Sequence, residues 1–339
     1  MKITQQYLNK QRERADDAAD EVVKRLFTSS QQSELYALFQ LTDTELVQAK
    51  PSPTKEFLLA RKPLLVWFNE KKLKHGQQVF EAYAMEIMTL LGALALPYCY
   101  AGSPGNKALY LSEKMRKAPG KRLFDTAQFI ISVSTPGGLT QSGTGHIHIN
   151  KTRLIHAIAR YYLQQGNWNA EWGQPINQED MAGTNLAFSY IILLGLQKSG
   201  FILTEIEKED FLFLWRYIGY QLNLEQELLP DSFQQAATLA RTIEKRNFKK
   251  SEESVGLAKE LMNYYKTVVP PRQAIFIESQ LRYFLGPEVA GYLGLEENPI
   301  RDGITSVMST FKELKNIFQV HTPSYMTMIA NQQRLKIPK

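Results

Sequence analysis

Arg153, His156 and Arg160 fall at i, i+3 and i+7 within TRLIHAIARYYL, residues 152–163. On a helix that spacing puts all three on one face. Their neighbours Leu154, Ile155, Ala157, Ile158 and Ala159 are apolar. Two guanidiniums and an imidazole striping an apolar helix need partners, because a buried charge without one is costly. Two readings stand side by side: a satisfied core histidine between structural ion pairs, or a metal ligand. An iron porphyrin would meet both needs, its iron taking the imidazole and its propionates the arginines.

A second constellation lies in KRLFDTAQFI, residues 121–130, where Arg122, Asp125 and Thr126 stand at i, i+3 and i+4. It is either an Arg–Asp pair with a hydroxyl beside it or the polar lining of a pocket in which oxygen species receive hydrogen bonds and protons. His146 and His148 form an H-x-H pair whose side chains would point the same way on a strand. Two ligands do not complete a metal site and no third stands nearby, so a loop or surface role is expected. His75, in KKLKHGQQ, reads as part of a solvated turn, and His321 has no evident partner. Cys99 lies in the apolar LALPYCYA, where a thiol's pKa rises, with no histidine close in sequence. Nucleophile elbows, P-loops, dinucleotide fingerprints, HExxH and CxxC are all missing.

The elements that must position these residues read as helices: 17–27, about 78–96, 124–133, 152–164, 177–199, 208–222, 231–245 and 254–266. The 177–199 segment has Asn177 as cap, Asp180 placed for a capping-box-like return, and Gly200 at its end. STPGGLTQSGTGHIHIN, residues 134–150, is rich in turn formers and alternates near its end, which predicts a long loop or short hairpin. The 339 residues, 44% hydrophobic and 22% charged, suffice for a folded core. With no fixed repeat and no low-complexity linker, one all-α domain over 1–339 is expected.

Forty Lys and Arg against thirty-four Asp and Glu give +6, partly concentrated in a basic C-terminal extension with Lys312, Lys315, Arg334, Lys336 and Lys339. A solvated surface accounts for this excess; weak attraction to an anionic membrane is the alternative, and no nucleic-acid motif is present. The N-terminal residues lack the apolar core of a secretory signal, and a single cysteine points to no oxidising compartment. The longest charge-free stretches, 87–106 and 127–150, are broken by Pro97, by Ser103-Pro104-Gly105, or by Gly, Ser and Thr. Neither predicts a membrane span. The expectation is a cytoplasmic protein without a transmembrane segment, in which peripheral membrane contact stays open; the oligomeric state is not legible.

KRLFDTAQFI, RLIHAIARYYL, WGQPINQEDMAGTNLAFSY and the WRYIGYQL segment together resemble the latex-clearing-protein (rubber oxygenase) family. That family includes the endoplasmic-reticulum oxygenase of mycophenolic acid biosynthesis. ADDAADEVVKRLF resembles its opening helix, and LPDSFQQAATLARTIEKR and FLGPEVAGYLGL its later parts, so the similarity runs from about residue 15 to 295 and leaves 296–339 as the extension. The resemblance implies an all-α fold with a globin-like core holding haem b. It makes His156 the proximal iron ligand flanked by Arg153 and Arg160, and puts Arg122 and Thr126 on the distal side. The implied activity is dioxygen chemistry, which in rubber-cleaving members splits carbon–carbon double bonds of polyisoprene.

This chain departs from that pattern in three respects. Asp125 stands where rubber oxygenases carry a lysine able to cap the iron. Their catalytic glutamate aligns with Asn106 or Lys107, the nearest carboxylate being Glu113. The absence of an export segment points away from an extracellular polymer. The reading is therefore a haem b-dependent oxygenase acting with dioxygen on a small apolar, isoprenoid- or lipid-like substrate. In it Asp125 handles protons, a raised pKa being expected for a carboxylate in an apolar pocket, while Arg122 and Thr126 stabilise reacting oxygen. A haem-binding gas sensor or store, or a helical interaction protein without cofactor, is the alternative.

Overall fold

Capping residues set where many of the helices begin. Asp16, Thr42, Asn69, Asn177, Thr204, Ser232 and Ser251 each accept a backbone N–H from the first turn, satisfying a donor that the helix itself cannot. The computed structural model describes residues 3–112, 116–140, 142–269 and 271–297. In chain order its helices are α1 (Gln5–Arg12), α2 (Asp17–Thr28), α3 (Gln32–Gln40), α4 (Asp43–Gln48), α5 (Pro53–Leu59), α6 (Glu70–Ala82), α7 (Ala84–Leu90), α8 (Leu96–Tyr100) and α9 (Lys107–Leu111). They continue with α10 (Pro119–Ser134), α11 (Gly145–Gln165), α12 (Gln178–Phe188), α13 (Tyr190–Lys198), α14 (Glu205–Gln221), α15 (Phe233–Asn247), α16 (Glu252–Val268), α17 (Pro271–Leu285) and α18 (Pro287–Tyr292). Among the described residues there is no strand, only the isolated bridge between Gly102 and Phe248. The fold is all-α, one helical domain, as expected.

Two apolar clusters organise it. The larger gathers α6–α8, α10 and the helices from α12 onward; the smaller is built from α2–α5 against one side of α11. Helix α11 is therefore clamped from both sides, with Ile147, Leu154 and Ala157 in the smaller cluster and Ile149 in the larger. This corrects the expectation of a loop or hairpin over 134–150. The loop covers only 135–144, and HIHIN is the opening of α11. The alternation that reads as a strand arises because Ile147 and Ile149 each face a different core. Glycine is needed in the remaining loop, since a Cβ at Gly143 would lie 2.2 Å from the Gly137 carbonyl oxygen.

Two further expectations change. The 78–96 helix breaks at Tyr83, and α7 runs on through a π-helical turn, Leu91–Ala95, into α8. Pro97 sits in the first turn of α8, where it does not interrupt the run. The 177–199 helix breaks at Ser189, whose φ and ψ of −112° and −83° separate α12 from α13. His75 is also not in a solvated turn. It lies on α6 and meets Asp210 of α14 at 2.7 Å, where the two helices approach so closely that a Cβ on Gly76 would lie 2.2 Å from the Asp210 carbonyl oxygen. No single helix among the described residues is long and apolar enough to cross a membrane. Glu113, His321 and the basic residues of the extension beyond 297 lie outside the described residues.

Candidate functional site

The charged stripe of α11 is buried and paired. Arg153 grips Asp16 through two parallel bonds, Nε to Oδ2 at 2.7 Å and Nη2 to Oδ1 at 2.9 Å, and donates Nη1 to Asn150 Oδ1 at 3.2 Å. Its guanidinium also lies 4.8 Å from the Phe57 ring centre. Asp16 is itself the N-cap of α2 and accepts from Asn223 Nδ2 at 3.0 Å, so its oxygens are fully engaged. One turn along α2, Asp20 takes Arg160 Nε at 2.7 Å. Burial raises the Asp20 pKa, and the charge of Arg160 opposes that rise. Arg160 Nη2 is buried with no hydrogen-bond partner.

His156 lies between these two ion pairs on the same face. No hydrogen bond to its ring is made among the described residues. Burial, and after it the charge of Arg160, push its pKa down to about 4, so the imidazole is neutral near pH 7. A narrow recess with room for about one water molecule lies against it, with Asp16, Arg153 and Arg160 at its charged side and Met181, Leu222 and Leu224 at its apolar side. A neutral imidazole with a free nitrogen is the form that binds metal. No group of three or more His, Cys, Asp and Glu among the described residues could hold a metal ion. A metal bound at His156 must then bring most of its own donors, as the iron of a porphyrin does.

The α10 residues divide. Arg122 is buried, and Nη2 donates to the Tyr100 hydroxyl while its guanidinium lies 5.1 Å from that ring's centre. It makes no ion pair among the described residues. Thr126 Oγ1 donates to the Arg122 carbonyl at 2.7 Å, which leaves its hydroxyl free only to accept. Asp125 points outward: its side chain is 53% exposed and meets Lys121 at 2.5 Å. This corrects the reading in which Asp125 lines a pocket and handles protons. At i+3 from Arg122 it lies far enough round the helix to face water.

Tyr100, at the end of α8, is the residue that spacing did not reveal. Burial raises its pKa, with Arg122 acting against the rise. Tyr265 stands close to both and donates to the Gly92 carbonyl, inside the π turn, at 2.9 Å. Cys99 lies beside Arg122 and hydrogen-bonds Thr184; burial pushes its thiol up to about 12, which excludes a thiolate nucleophile. Helix α12 joins the two regions, with Met181 on the His156 recess and Thr184, one turn later, at Cys99. The conspicuous acids of GQPINQED are structural. Glu179, fully buried, meets Arg246 at 2.8 Å and Arg12 at 3.4 Å, and Asp180 meets Arg12 at 3.1 Å. His146 and His148 stand well apart around α11, bound to the Gly143 carbonyl at 3.1 Å and to Asp43 at 3.2 Å.

Residues 74–311 match the model of the family described as ER-bound oxygenase mpaB/B'/rubber oxygenase, catalytic domain. The fold is similar to the solved structure of latex clearing protein LCP in the closed state, with a TM-score of 0.76 and 19% identity, covering 96% of this chain and 90% of that one. No curated protein matches the sequence.

Proposed function

This chain belongs to the ER-bound oxygenase mpaB/B'/rubber oxygenase family, an enzyme family of oxygenases, and on that premise we propose that it is a haem b-dependent oxygenase acting with dioxygen on an apolar small molecule. The proposal rests on His156, a neutral imidazole without a hydrogen-bond partner among the described residues, beside a recess whose carboxylate, Asp16, is already held by Arg153 and Asn223. A single imidazole donor would suit a metal that arrives in a macrocycle carrying its own nitrogens, with His156 as the residue that would hold it. Haem held there would supply dioxygen activation. Asp16 and Asp20 would fix α11 through Arg153 and Arg160, and with it the direction of the imidazole. Arg160, with one buried N–H group still free, is the guanidinium available to a propionate.

Arg122 would serve as the fixed positive charge for developing negative charge on oxygen. A buried guanidinium without a carboxylate is costly, so a site that presents anionic or polarised oxygen supplies what it lacks. Tyr100 holds Arg122 in place, and because its oxygen accepts from Nη2 its own O–H remains free to donate. It takes the proton-handling role that Asp125 cannot fill. Tyr100→Phe is expected to slow turnover by roughly 10²–10⁴-fold, the range of general acid–base catalysis, with haem content unchanged. Asp125→Asn should change turnover by less than about twofold, given that exposed surface changes are worth about 0.5 kcal/mol or less. Parallel kinetics of the two variants check the assignment; the reverse order would return the role to Asp125.

The substrate class is carried over from the family's description as rubber oxygenase. An isoprenoid or an unsaturated fatty chain is the small apolar alkene of that kind. Oxygen uptake by the reduced, haem-loaded protein on addition of such alkenes tests the proposal. Reversible oxygen binding without consumption would identify a gas sensor or haem store instead.

A further inference from the structure

The segment between α5 and α6, KPLLVWFN, carries apolar side chains that point in opposite senses. Trp67 and Phe68 anchor it to the body. The Trp67 ring meets Phe213 and Tyr220 edge-on at 5.8 and 5.9 Å, has Arg216 4.3 Å from its centre, and donates Nε1 to Gln226 at 3.3 Å. Phe68 lies 4.9 Å from the Tyr217 ring. The backbone is tied as well, with the Tyr220 hydroxyl on the Pro63 carbonyl at 2.9 Å and a turn from Phe68 N–H to the Leu65 carbonyl at 2.9 Å. From this fixed base Leu64 and Val66 project, 63% and 107% exposed. Two aliphatic side chains held out on a rigid turn carry little entropy cost on insertion into an apolar phase, and neither belongs to an apolar cluster of the described residues.

The charge around them selects the phase. Residues 61–74 hold Arg61, Lys62, Lys71, Lys72 and Lys74 against Glu70, a local excess of four positive charges, and Lys71 and Lys72 are exposed on the first turn of α6. Glu70 is occupied by Lys74 at 2.8 Å. The contrast is the other strongly exposed aliphatic pair, Ile202 and Ile206, at 92% and 67%. It is interleaved with Glu205, Glu207 and Glu209, which an anionic surface would repel.

We infer that the 63–68 turn is a peripheral docking site for an anionic lipid bilayer, with Leu64 and Val66 entering the acyl region while Lys71 and Lys72 lie among the headgroups. Apolar insertion and electrostatic attraction to acidic lipids add in such sites, and neither alone holds a protein at a membrane. The inference is independent of the haem assignment.

Flotation of the full chain with vesicles tests it, using phosphatidylcholine alone and phosphatidylcholine with about one third phosphatidylglycerol, anionic lipid being the partner for the lysines. The wild type should float with the anionic vesicles and much less with the neutral ones. Leu64→Ser/Val66→Ser should lower the partition coefficient at least about tenfold, given roughly 0.8 kcal/mol for each buried CH₂ lost. Lys71→Glu/Lys72→Glu should abolish the preference for anionic lipid. Because all four residues are exposed, circular dichroism should show each variant folded, and the Trp67 environment should shift on binding in the wild type only. Absence of flotation with either vesicle, or flotation undiminished by the serine pair, would overturn the inference. So would a wild-type dimer that the serine pair dissociates without any vesicle binding, because the turn would then join two copies of this chain.

Discussion

Replacing His156 with alanine is expected to abolish stoichiometric haem binding while the protein keeps its helical content. The imidazole has no hydrogen bond to lose among the described residues, and a smaller side chain enlarges a recess that already exists. The fold should therefore tolerate the change. Affinity should fall by more than the roughly 10–100-fold typical of altering a residue that only orients a metal ligand, because the ligand itself is gone. His146→Ala and His148→Ala act as controls, since those rings are engaged by Gly143 and Asp43. Haem titration followed at the Soret band reads all three. Unchanged binding in His156→Ala, or loss in either control, would move the ligand elsewhere.

Asp16→Ala is expected to be the most destabilising single change around the site. It leaves Arg153 buried and uncompensated, on the order of 3–5 kcal/mol, and removes the N-cap of α2 in the same stroke. Asp16→Asn should be milder only by the retained cap, because asparagine caps a helix about as well as aspartate but leaves Arg153 without its carboxylate and gives up one of the two acceptor oxygens. Urea unfolding of the protein without haem isolates this effect from cofactor binding. A loss below about 1 kcal/mol for the alanine variant would mean that the Asp16–Arg153 pair behaves as an exposed surface pair.

The stripe on α11 was legible because charge on an apolar helix is conspicuous, and its burial and pairing follow from the cost of leaving it unpaired. Its partners were not named by spacing, since Asp16 and Asp20 lie 137 and 140 residues away from Arg153 and Arg160. A signal did exist: carboxylates at i and i+4 at the start of α2 are matched to arginines at i and i+7 on α11. Tyr100 was hidden inside an apolar run, where a hydroxyl that pairs with a distant arginine looks like any core aromatic. Asp125 was misplaced because residues at i, i+3 and i+4 share a face only broadly, and the boundary between core and water falls between Arg122 and Asp125. The 134–150 segment misled for a different reason. A helix buried on both sides loses the one-sided periodicity that identifies helices, so turn-forming glycines just before it dominated the reading.

The most direct test of the central claim is a pyridine-haemochrome spectrum of the chain expressed with ample haem supply and purified. A Soret band with b-type haem in one-to-one ratio to protein is the predicted result. A colourless protein that also shows no saturable Soret change on titration with haemin would contradict the account, and His156 would then be a core histidine beside a structural pair of ion bridges.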